Sequence, residues 1–235
     1  KYTPKFEGRY IEPFFGGGAM YFYLEPNKAI INDINERLMN FYRAVQTDYE
    51  TLKKELTQLE TIYSQNRVDY DELKKRHPDE KVVDANEALY YRLRDMYNGS
   101  EPSTYSEAAL YYFINKTAYS GMIRFNSKGG YNVPYGRYKN FNTGIITEAH
   151  HKLLANTEIL NGDYLNVFNK TNTNDFVFLD PPYDCIFSNY GNKEYKDGFN
   201  EQSHRKLAQD FFNLGCRVLM VIGATPLTRE LYGGH

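Results

Sequence analysis

Short apolar segments that alternate with helical patterns constrain the fold of this chain more than any other feature. Strand-type segments stand at 10–12, 29–31, 158–160, 176–179 and 218–222. A helical pattern follows each of the first two, and an amphipathic helix at 201–214 separates the last two. Strands that alternate with helices build a parallel sheet covered by helices. We therefore predict an α/β fold with a parallel sheet formed from both ends of the chain.

The middle of the chain breaks this alternation. Residues 48–100 are highly charged, and apolar residues recur there at helical spacing at Leu52, Leu56, Leu59 and Tyr63, which predicts helices with a solvated charged face. A further helix is predicted at 106–118. These patterns divide the chain into a sheet domain, 1–46 plus 156–235, and an inserted module, 47–155.

A hairpin is the predicted structure of residues 119–142. Aromatic and polar residues alternate there around Ser127-Lys128-Gly129-Gly130, a run of turn residues between strand formers. Tyr131 and Tyr135 are interpreted mainly as core residues of the hairpin, because alternate strand residues face inward.

Charge and cysteine content exclude several classes of protein. The 28 Lys and Arg residues against 30 Asp and Glu residues give a net charge of −2, so an anionic partner must be bound by a local basic patch. The 2 cysteines and 5 scattered histidines predict neither a disulfide framework nor a metal site. No segment has the ~18 apolar residues of a membrane span or the apolar core of a signal peptide, which favours a cytoplasmic protein.

A glycine turn follows the first strand, in Glu12-Pro13-Phe14-Phe15-Gly16-Gly17-Gly18. Consecutive glycines allow a ligand to approach the backbone amides, although such a turn also serves simply to pack a helix on a sheet. Asp33 ends the second strand, where a carboxylate can hold the ribose hydroxyls of a nucleoside cofactor. Alternatively Asp33 could cap the next helix, and the two roles could coexist.

A rigid acidic turn, Asp180-Pro181-Pro182-Tyr183, follows the apolar strand 176–179. Two prolines remove two backbone donors and fix φ, while their carbonyls can still accept hydrogen bonds. A carboxylate, carbonyls and an aromatic ring on one stiff turn suit a planar molecule with an exocyclic amino group. The alternative is a plain loop with a capping aspartate and a packed tyrosine.

These motifs resemble those of the Dam-type (α-group, D12 class) DNA adenine-N6 methyltransferases. The resemblance covers most of the chain: 12–19 resembles the cofactor motif, 32–35 the ribose-binding motif, 161–164 the segment beside the cofactor's adenine, 180–183 the catalytic motif and 121–138 the DNA-reading hairpin. The order of these motifs also fits. Relative to the family pattern the chain is expected to be trimmed at both ends, since a Lys-Trp-x-Gly-Gly-Lys-like segment and further C-terminal strands have no counterpart.

The resemblance implies a Rossmann-like sheet that binds S-adenosyl-L-methionine and methylates a flipped-out adenine in double-stranded DNA. The cofactor-binding residues it implies are Glu12, Pro13, Phe14, Gly16, Gly17, Gly18, Asp33, Ile34, Asp163, Tyr164 and Asp180. In the implied chemistry Asp180 and the Pro181 carbonyl accept the two N6 hydrogens, Pro182 stiffens the turn and Tyr183 stacks on the base. No metal is required.

DNA binding is assigned to the inserted module. Between residues 115 and 147 five basic residues and no acidic ones occur together with six aromatic residues. The resemblance and this charge pattern implicate Tyr119, Ser120, Met122, Arg124, Asn126, Lys128, Pro134, Arg137, Tyr138 and Lys139. Arg124 could present its fork to guanine O6 and N7, or alternatively form a surface ion pair. The implied target is GATC or a site that contains GAT.

Other functions fit parts of the pattern. An Asp-Pro-Pro-Tyr turn also suits the planar amine of an RNA base or a protein glutamine, and a relative that binds DNA without catalysis would keep the hairpin. An NAD-dependent enzyme fits poorly, because the glycine spacing is not GxGxxG. A restriction endonuclease would be a genetic partner only, and no obligatory protein partner or membrane association is expected.

Overall fold

The computed structural model describes residues 4–184 and 199–234. The chain divides into two compact units, one formed by Lys1–Tyr42 with Lys152–His235 and the other by Arg43–His151. The boundaries thus fall after residues 42 and 151, where the sequence pattern placed them after 46 and 155.

The first unit is built on a five-stranded parallel sheet. Its strands are β1 (Tyr10–Glu12), β2 (Ala29–Ile31), β3 (Thr157–Ile159), β4 (Phe176–Leu179) and β5 (Arg217–Met220), in the order β3-β2-β1-β4-β5. This confirms the predicted α/β class. The two strands at the ends of this order, β3 and β5, start one residue earlier than predicted, because Thr157 and Arg217 already pair with their neighbours Ala29 and Phe176.

Strand burial explains why these short segments form the sheet. Every residue of β1, β2 and β4 is buried, whereas β3 and β5 are partly exposed. The central strands are covered by helices, with Ile11, Val177 and Leu179 packed in one cluster with Val167 and Leu207. Burying such side chains supplies about 1.5–3 kcal/mol each.

The helices connect and cover these elements. They are α1 (Ala19–Leu24), α2 (Glu36–Thr47), α3 (Tyr49–Arg76), α4 (Ala85–Tyr97), α5 (Glu107–Thr117), α6 (Glu148–Leu154), α7 (Leu165–Phe168), α8 (Glu201–Phe212) and α9 (Pro226–Tyr232). The predicted helices at 106–118 and 201–214 correspond to α5 and α8, each slightly shorter. None of the helices in the described part of the chain has the length and apolar character that a membrane span requires.

The second unit is a helical cluster around α5, of which eight residues are buried. The predicted apolar face of α3 is confirmed, since its buried residues are Leu52, Leu56, Leu59 and Tyr63. The two ends of this unit lie together: the His151 Nδ1 atom is 3.0 Å from the Val45 carbonyl oxygen, and the His151 ring stacks on Tyr49.

The predicted hairpin forms only in part. Within residues 118–136 the chain makes two isolated antiparallel bridges, Phe125 with Tyr131 and Ala118 with Tyr135, instead of continuous strands. The two ladder bonds beside the first bridge run from Asn126 N–H to the Gly130 carbonyl (2.8 Å) and from Asn132 N–H to the Arg124 carbonyl (3.1 Å). The Asn98 side chain binds the N–H (2.8 Å) and the carbonyl (3.0 Å) of Tyr131, which point away from Phe125. Tyr131 and Tyr135 are buried, in agreement with their interpretation as core residues.

Candidate active site

Both chemical motifs of the first unit lie at one place in its sheet. The chain runs from β1 outward through β2 to β3 and then returns to place β4 on the other side of β1. The carboxyl ends of β1 and β4 therefore flank the point where the strand order reverses, and ligands of open α/β sheets bind in the crevice at this point. The glycine turn follows β1, and Asp180 follows β4.

The glycine turn combines one packed glycine with two open ones. Gly18 has φ +64°, and a Cβ atom there would lie 2.5 Å from Phe15 Cζ. Gly16 has φ +47°, but a Cβ at Gly16 or Gly17 would meet no heavy atom within 4 Å. Gly18 is therefore required for packing, whereas Gly16 and Gly17 leave a backbone edge that a ligand can approach closely.

Asp33 joins the glycine turn to the loop after β2. Its Oδ2 atom accepts the Gly16 N–H at 2.9 Å, and its Oδ1 atom accepts the Asn35 N–H at 2.9 Å. Asn35, whose Oδ1 accepts the Leu38 N–H, fills the capping position before α2, so the interpretation of Asp33 as the cap is wrong. Burial raises the pKa of Asp33 although these backbone N–H groups oppose it. A carboxylate has more lone pairs than these two bonds use, so it can also accept ribose hydroxyls.

Two asparagines fix the loops around Asp33, and the sequence pattern predicts no individual role for either of them. The Asn32 side chain donates to the carbonyls of Pro13 (3.0 Å) and Gly162 (2.9 Å). The Asn161 side chain donates to the carbonyls of Asp33 (2.8 Å) and Ile34 (3.2 Å). The loops after β1, β2 and β3 are thus joined by hydrogen bonds. The one sequence signal for these roles is that each asparagine directly follows a predicted strand.

The other residues of the 161–164 motif differ in exposure. Asp163 is exposed and its Oδ1 atom accepts the Leu165 N–H at 2.9 Å. Tyr164 is buried, with its ring 5.4 Å from that of Phe14 and its hydroxyl bonded to Asp210. Tyr164 therefore packs against Phe14 and donates its hydroxyl to Asp210 rather than to a ligand.

Glu12 is a buried acid at the end of β1. Its carboxyl group accepts the Tyr10 hydroxyl at 2.7 Å and the backbone N–H of Tyr21 in the first turn of α1. Burial, together with the nearby charges of Asp180 and Asp33, raises the pKa of Glu12 to about 8 against the effect of these hydrogen bonds. Three acidic groups, Glu12, Asp33 and Asp180, thus interact electrostatically at this crevice, which suits a ligand that carries positive charge.

The turn after β4 has the features expected of a receptor for an amine. Asp180 and Pro182 are exposed, Pro181 is buried and Tyr183 is half-exposed. Although the residue as a whole is exposed, partial burial of its carboxyl group raises the pKa of Asp180, while a hydrogen bond from the Tyr183 hydroxyl lowers it. Within residues 4–184 and 199–234, no N–H donates to the Pro181 carbonyl. The Asp184 Oδ2 atom accepts the Thr225 hydroxyl at 2.9 Å, which anchors the turn to the start of α9.

The residues assigned to DNA binding form an exposed set in the second unit. Met122 is half-buried, and the exposed members are Tyr119, Ser120, Arg124, Asn126, Lys128, Pro134, Arg137, Tyr138 and Lys139. Arg137 pairs with Glu87 at 3.4 Å, whereas the Arg124 guanidinium binds Asn132 and, among the described residues, no carboxylate. The Asn126 Oδ1 atom accepts the N–H groups of Lys128 and Gly130, which shapes the turn.

Comparison with known proteins agrees with this geometry. Residues 1–234 match the family model of the D12 class N6 adenine-specific DNA methyltransferase. The chain is 34% identical over its full length to the type II methyltransferase M.CviBI of Paramecium bursaria Chlorella virus NC1A, covering 80% of that protein. It is 37% identical over 96% of its length to M.MjaIII of Methanocaldococcus jannaschii, covering 76% of it. A DNA N-6-adenine-methyltransferase of Escherichia phage P1 is 30% identical over 99% of this chain and 28% of its own length. The chain therefore belongs to the D12 class of N6 adenine-specific DNA methyltransferases.

Proposed function

We propose that this adenine methyltransferase takes its methyl group from S-adenosylmethionine and transfers it to an adenine that has left the stack of duplex DNA, within GATC or another site that contains GAT. The observation that carries the proposal is the placement of Asp180-Pro181-Pro182-Tyr183 and the glycine turn at the carboxyl ends of the adjacent strands β4 and β1. One motif suits the amine and the other suits the donor of the methyl group.

The residues around the glycine turn fit this cofactor. Gly16 and Gly17 leave space that side chains would fill, and Asp33 can accept ribose hydroxyls. Asp180 places negative charge at this site, and Glu12, whose pKa of about 8 keeps it mostly protonated near neutral pH, would ionise when a sulfonium or ammonium group binds beside it. When bound, S-adenosylmethionine supplies a methyl group on a good leaving group. Phe14 and the exposed Asp163 complete the proposed contacts.

The turn after β4 would prepare the amine for attack. The N6 lone pair of adenine is delocalised into the ring, so an enzyme must localise it towards the incoming methyl group. Asp180 would accept one N6 hydrogen and the Pro181 carbonyl the other, which favours tetrahedral geometry at nitrogen. The half-exposed ring of Tyr183 would stack on the base. Pro182 keeps the carbonyl and the carboxylate on one rigid turn.

An adenine inside a duplex cannot reach such a turn, so the base would have to flip out at a cost of a few kcal/mol. The exposed aromatic and basic residues of the second unit suit the contacts that would offset this cost. Lys128, Arg137 and Lys139 carry charge for phosphates, and Tyr119 has an exposed ring that could occupy the space of a displaced base.

The test is transfer of a labelled methyl group from S-adenosylmethionine to three substrates: a duplex that contains GATC, the same duplex with its adenine replaced, and an RNA of the same sequence. Labelling that requires the adenine of the GATC duplex is the expected result. Labelling of a different duplex would keep the reaction and refute the target. Labelling of RNA alone would refute the DNA substrate proposed for this chain.

A pair of variants tests the site. Asp180→Ala should abolish transfer while DNA affinity, measured by fluorescence anisotropy, stays within about twofold of the unmodified protein. Asp79→Ala, which removes an exposed carboxylate outside the proposed site, should leave both properties unchanged. Full transfer by Asp180→Ala would refute the assignment of the catalytic turn.

A further inference from the structure

The side chain of Arg124 is held by one partner across the loop. Its Nε atom donates to the Asn132 Oδ1 atom at 2.9 Å, and its Nη2 atom donates to the Asn132 carbonyl at 3.3 Å. The backbones of the two residues are also joined, because the Asn132 N–H donates to the Arg124 carbonyl at 3.1 Å. One residue thus fixes both the backbone and the guanidinium of Arg124.

These bonds use one particular edge of the guanidinium. A guanidinium has five N–H groups in a planar fork, and Asn132 occupies those on the Nε and Nη2 side. The end formed by Nη1 and the second Nη2 hydrogen remains. Two parallel donors at that end match the O6 and N7 acceptors of guanine. The exposed position of Arg124 allows this end to reach a ligand.

We propose that Asn132 is a specificity-determining positioning residue, which orients Arg124 so that the end of its guanidinium reads one base pair of the target. The proposal rests on the DNA-methylating function proposed above, and it adds the residue that makes the base contact selective. Without Asn132 the arginine side chain would sample many rotamers, and binding would have to restrict them.

The support behind Asn132 is rigid. The preceding residue, Tyr131, is buried, and the Asn98 side chain holds both its N–H and its carbonyl. The Tyr131 hydroxyl donates to the Met122 carbonyl at 2.7 Å, which ties the two sides of the loop together. Asn132 therefore stands on a fixed backbone. An arginine bound to it inherits that fixed position.

The neutral amide of Asn132 has a further advantage over a carboxylate. An aspartate would hold Arg124 equally well but would cancel part of its positive charge, which DNA phosphates would otherwise attract. The pair Asn132→Ala and Asn132→Asp therefore separates positioning from charge. Alanine removes the acceptor, whereas aspartate keeps an acceptor oxygen in the same place.

The experiment measures kcat/KM for methylation of a set of duplexes in which each base pair around the methylated adenine is replaced in turn. Arg124→Ala identifies the position it reads, as a loss of discrimination of roughly 5- to 150-fold there. Asn132→Ala should lose about tenfold of discrimination at the same position and little elsewhere. Asn132→Asp should restore that discrimination while lowering DNA affinity. In the Arg124→Ala background, Asn132→Ala should cause no further loss.

Asn140→Ala serves as the matched control, because it removes an exposed asparagine of the same unit that does not bind Arg124. It should leave discrimination unchanged at every base pair. A fall in kcat/KM by similar factors for all duplexes with Asn132→Ala would overturn the proposal, as would improved discrimination, which would mean that Asn132 hides Arg124. If the unmodified protein methylates no DNA, the proposed function fails instead, and this outcome is visible before any variant is compared.

Discussion

Alanine substitutions at Gly16, Gly17 and Gly18 should have graded effects on stability, because the three glycines meet different surroundings. Gly18 combines φ +64° with a Cβ position 2.5 Å from Phe15 Cζ. The left-handed conformation costs ~1–2 kcal/mol for a residue with a Cβ, and forced packing adds ~1–3 kcal/mol. Gly16 has φ +47° and open space, so only the first cost applies. Gly17 lies outside the left-handed region and meets no neighbour.

Scanning calorimetry without cofactor measures this series. At roughly 2–4 °C per kcal/mol for a chain of this size, Gly18→Ala should lower the Tm by about 10 °C and Gly16→Ala by about 4 °C. Gly17→Ala should leave the Tm within about 2 °C of the unmodified protein. Cofactor affinity, measured by titration calorimetry, should nevertheless fall for Gly17→Ala, because its methyl group enters the proposed binding space. Equal Tm values for Gly17→Ala and Gly18→Ala would refute this account of the turn.

Four further predictions concern charge. Because burial raises the pKa of Asp180, methyl transfer should fall with decreasing pH from a point above the ordinary value of 3.8, and a pH profile of kcat that stays flat down to that value would contradict the role of its ionised form. Glu12 has a pKa of about 8 in the folded protein against an ordinary 4.5, so it contributes stability below pH 4.5 that is lost as the pH rises to about 8. Glu12→Gln should remove this loss, as urea unfolding curves measured across that pH range can show. The same pH dependence in the variant and in the unmodified protein would refute this prediction. Burial alone would raise the pKa of Asp175, but hydrogen bonds from Arg9 and from backbone N–H groups lower it. Arg9→Leu should therefore lower the free energy of unfolding by about 2–4 kcal/mol at pH 7 and by progressively less below pH 3.8. Chemical unfolding measured at pH 7 and below pH 3.8 checks this. Lys139→Ala should weaken binding to all duplexes and reduce the slope of log affinity against log salt by about one, whereas a selective loss on one sequence would show that it reads a base.

The sheet could be predicted from the sequence because its strands carry their own signal. Segments such as 176–179 are apolar throughout and bounded by turn residues, so their type and position follow from local physics. The exact ends of β3 and β5 depend on pairing with neighbouring strands, and they differ from the predicted ends by one or two residues. The motifs at the ends of β1 and β4 were likewise visible as short runs.

Contacts between distant segments could not be predicted in this way. The outer edge of the hairpin is held by Asn98, which stands 33 residues before its partner Tyr131, and nothing in the local pattern indicates this bond. The bond from Asn32 to Gly162 spans 130 residues. The hydrogen bond from the Tyr21 N–H to the Glu12 carboxyl depends on how α1 leaves the glycine turn. Such bonds from side chains to backbone groups exist only once the chain has folded.

The contact between His151 and Val45 has a consequence for the order in which the chain folds. Strand β2 is separated from its partner β3 by the whole second unit, and closing a flexible loop is entropically more costly the longer it is. If the second unit folds first, its ends are already 3.0 Å apart at these two residues, so a loop of roughly 125 residues behaves as one of roughly 20. At ~0.6 kcal/mol per doubling of length, this removes about 1.6 kcal/mol from the cost of bringing β3 to β2. During synthesis the second unit leaves the ribosome before β3 does, so β3 is expected to join β2 only after the second unit has formed.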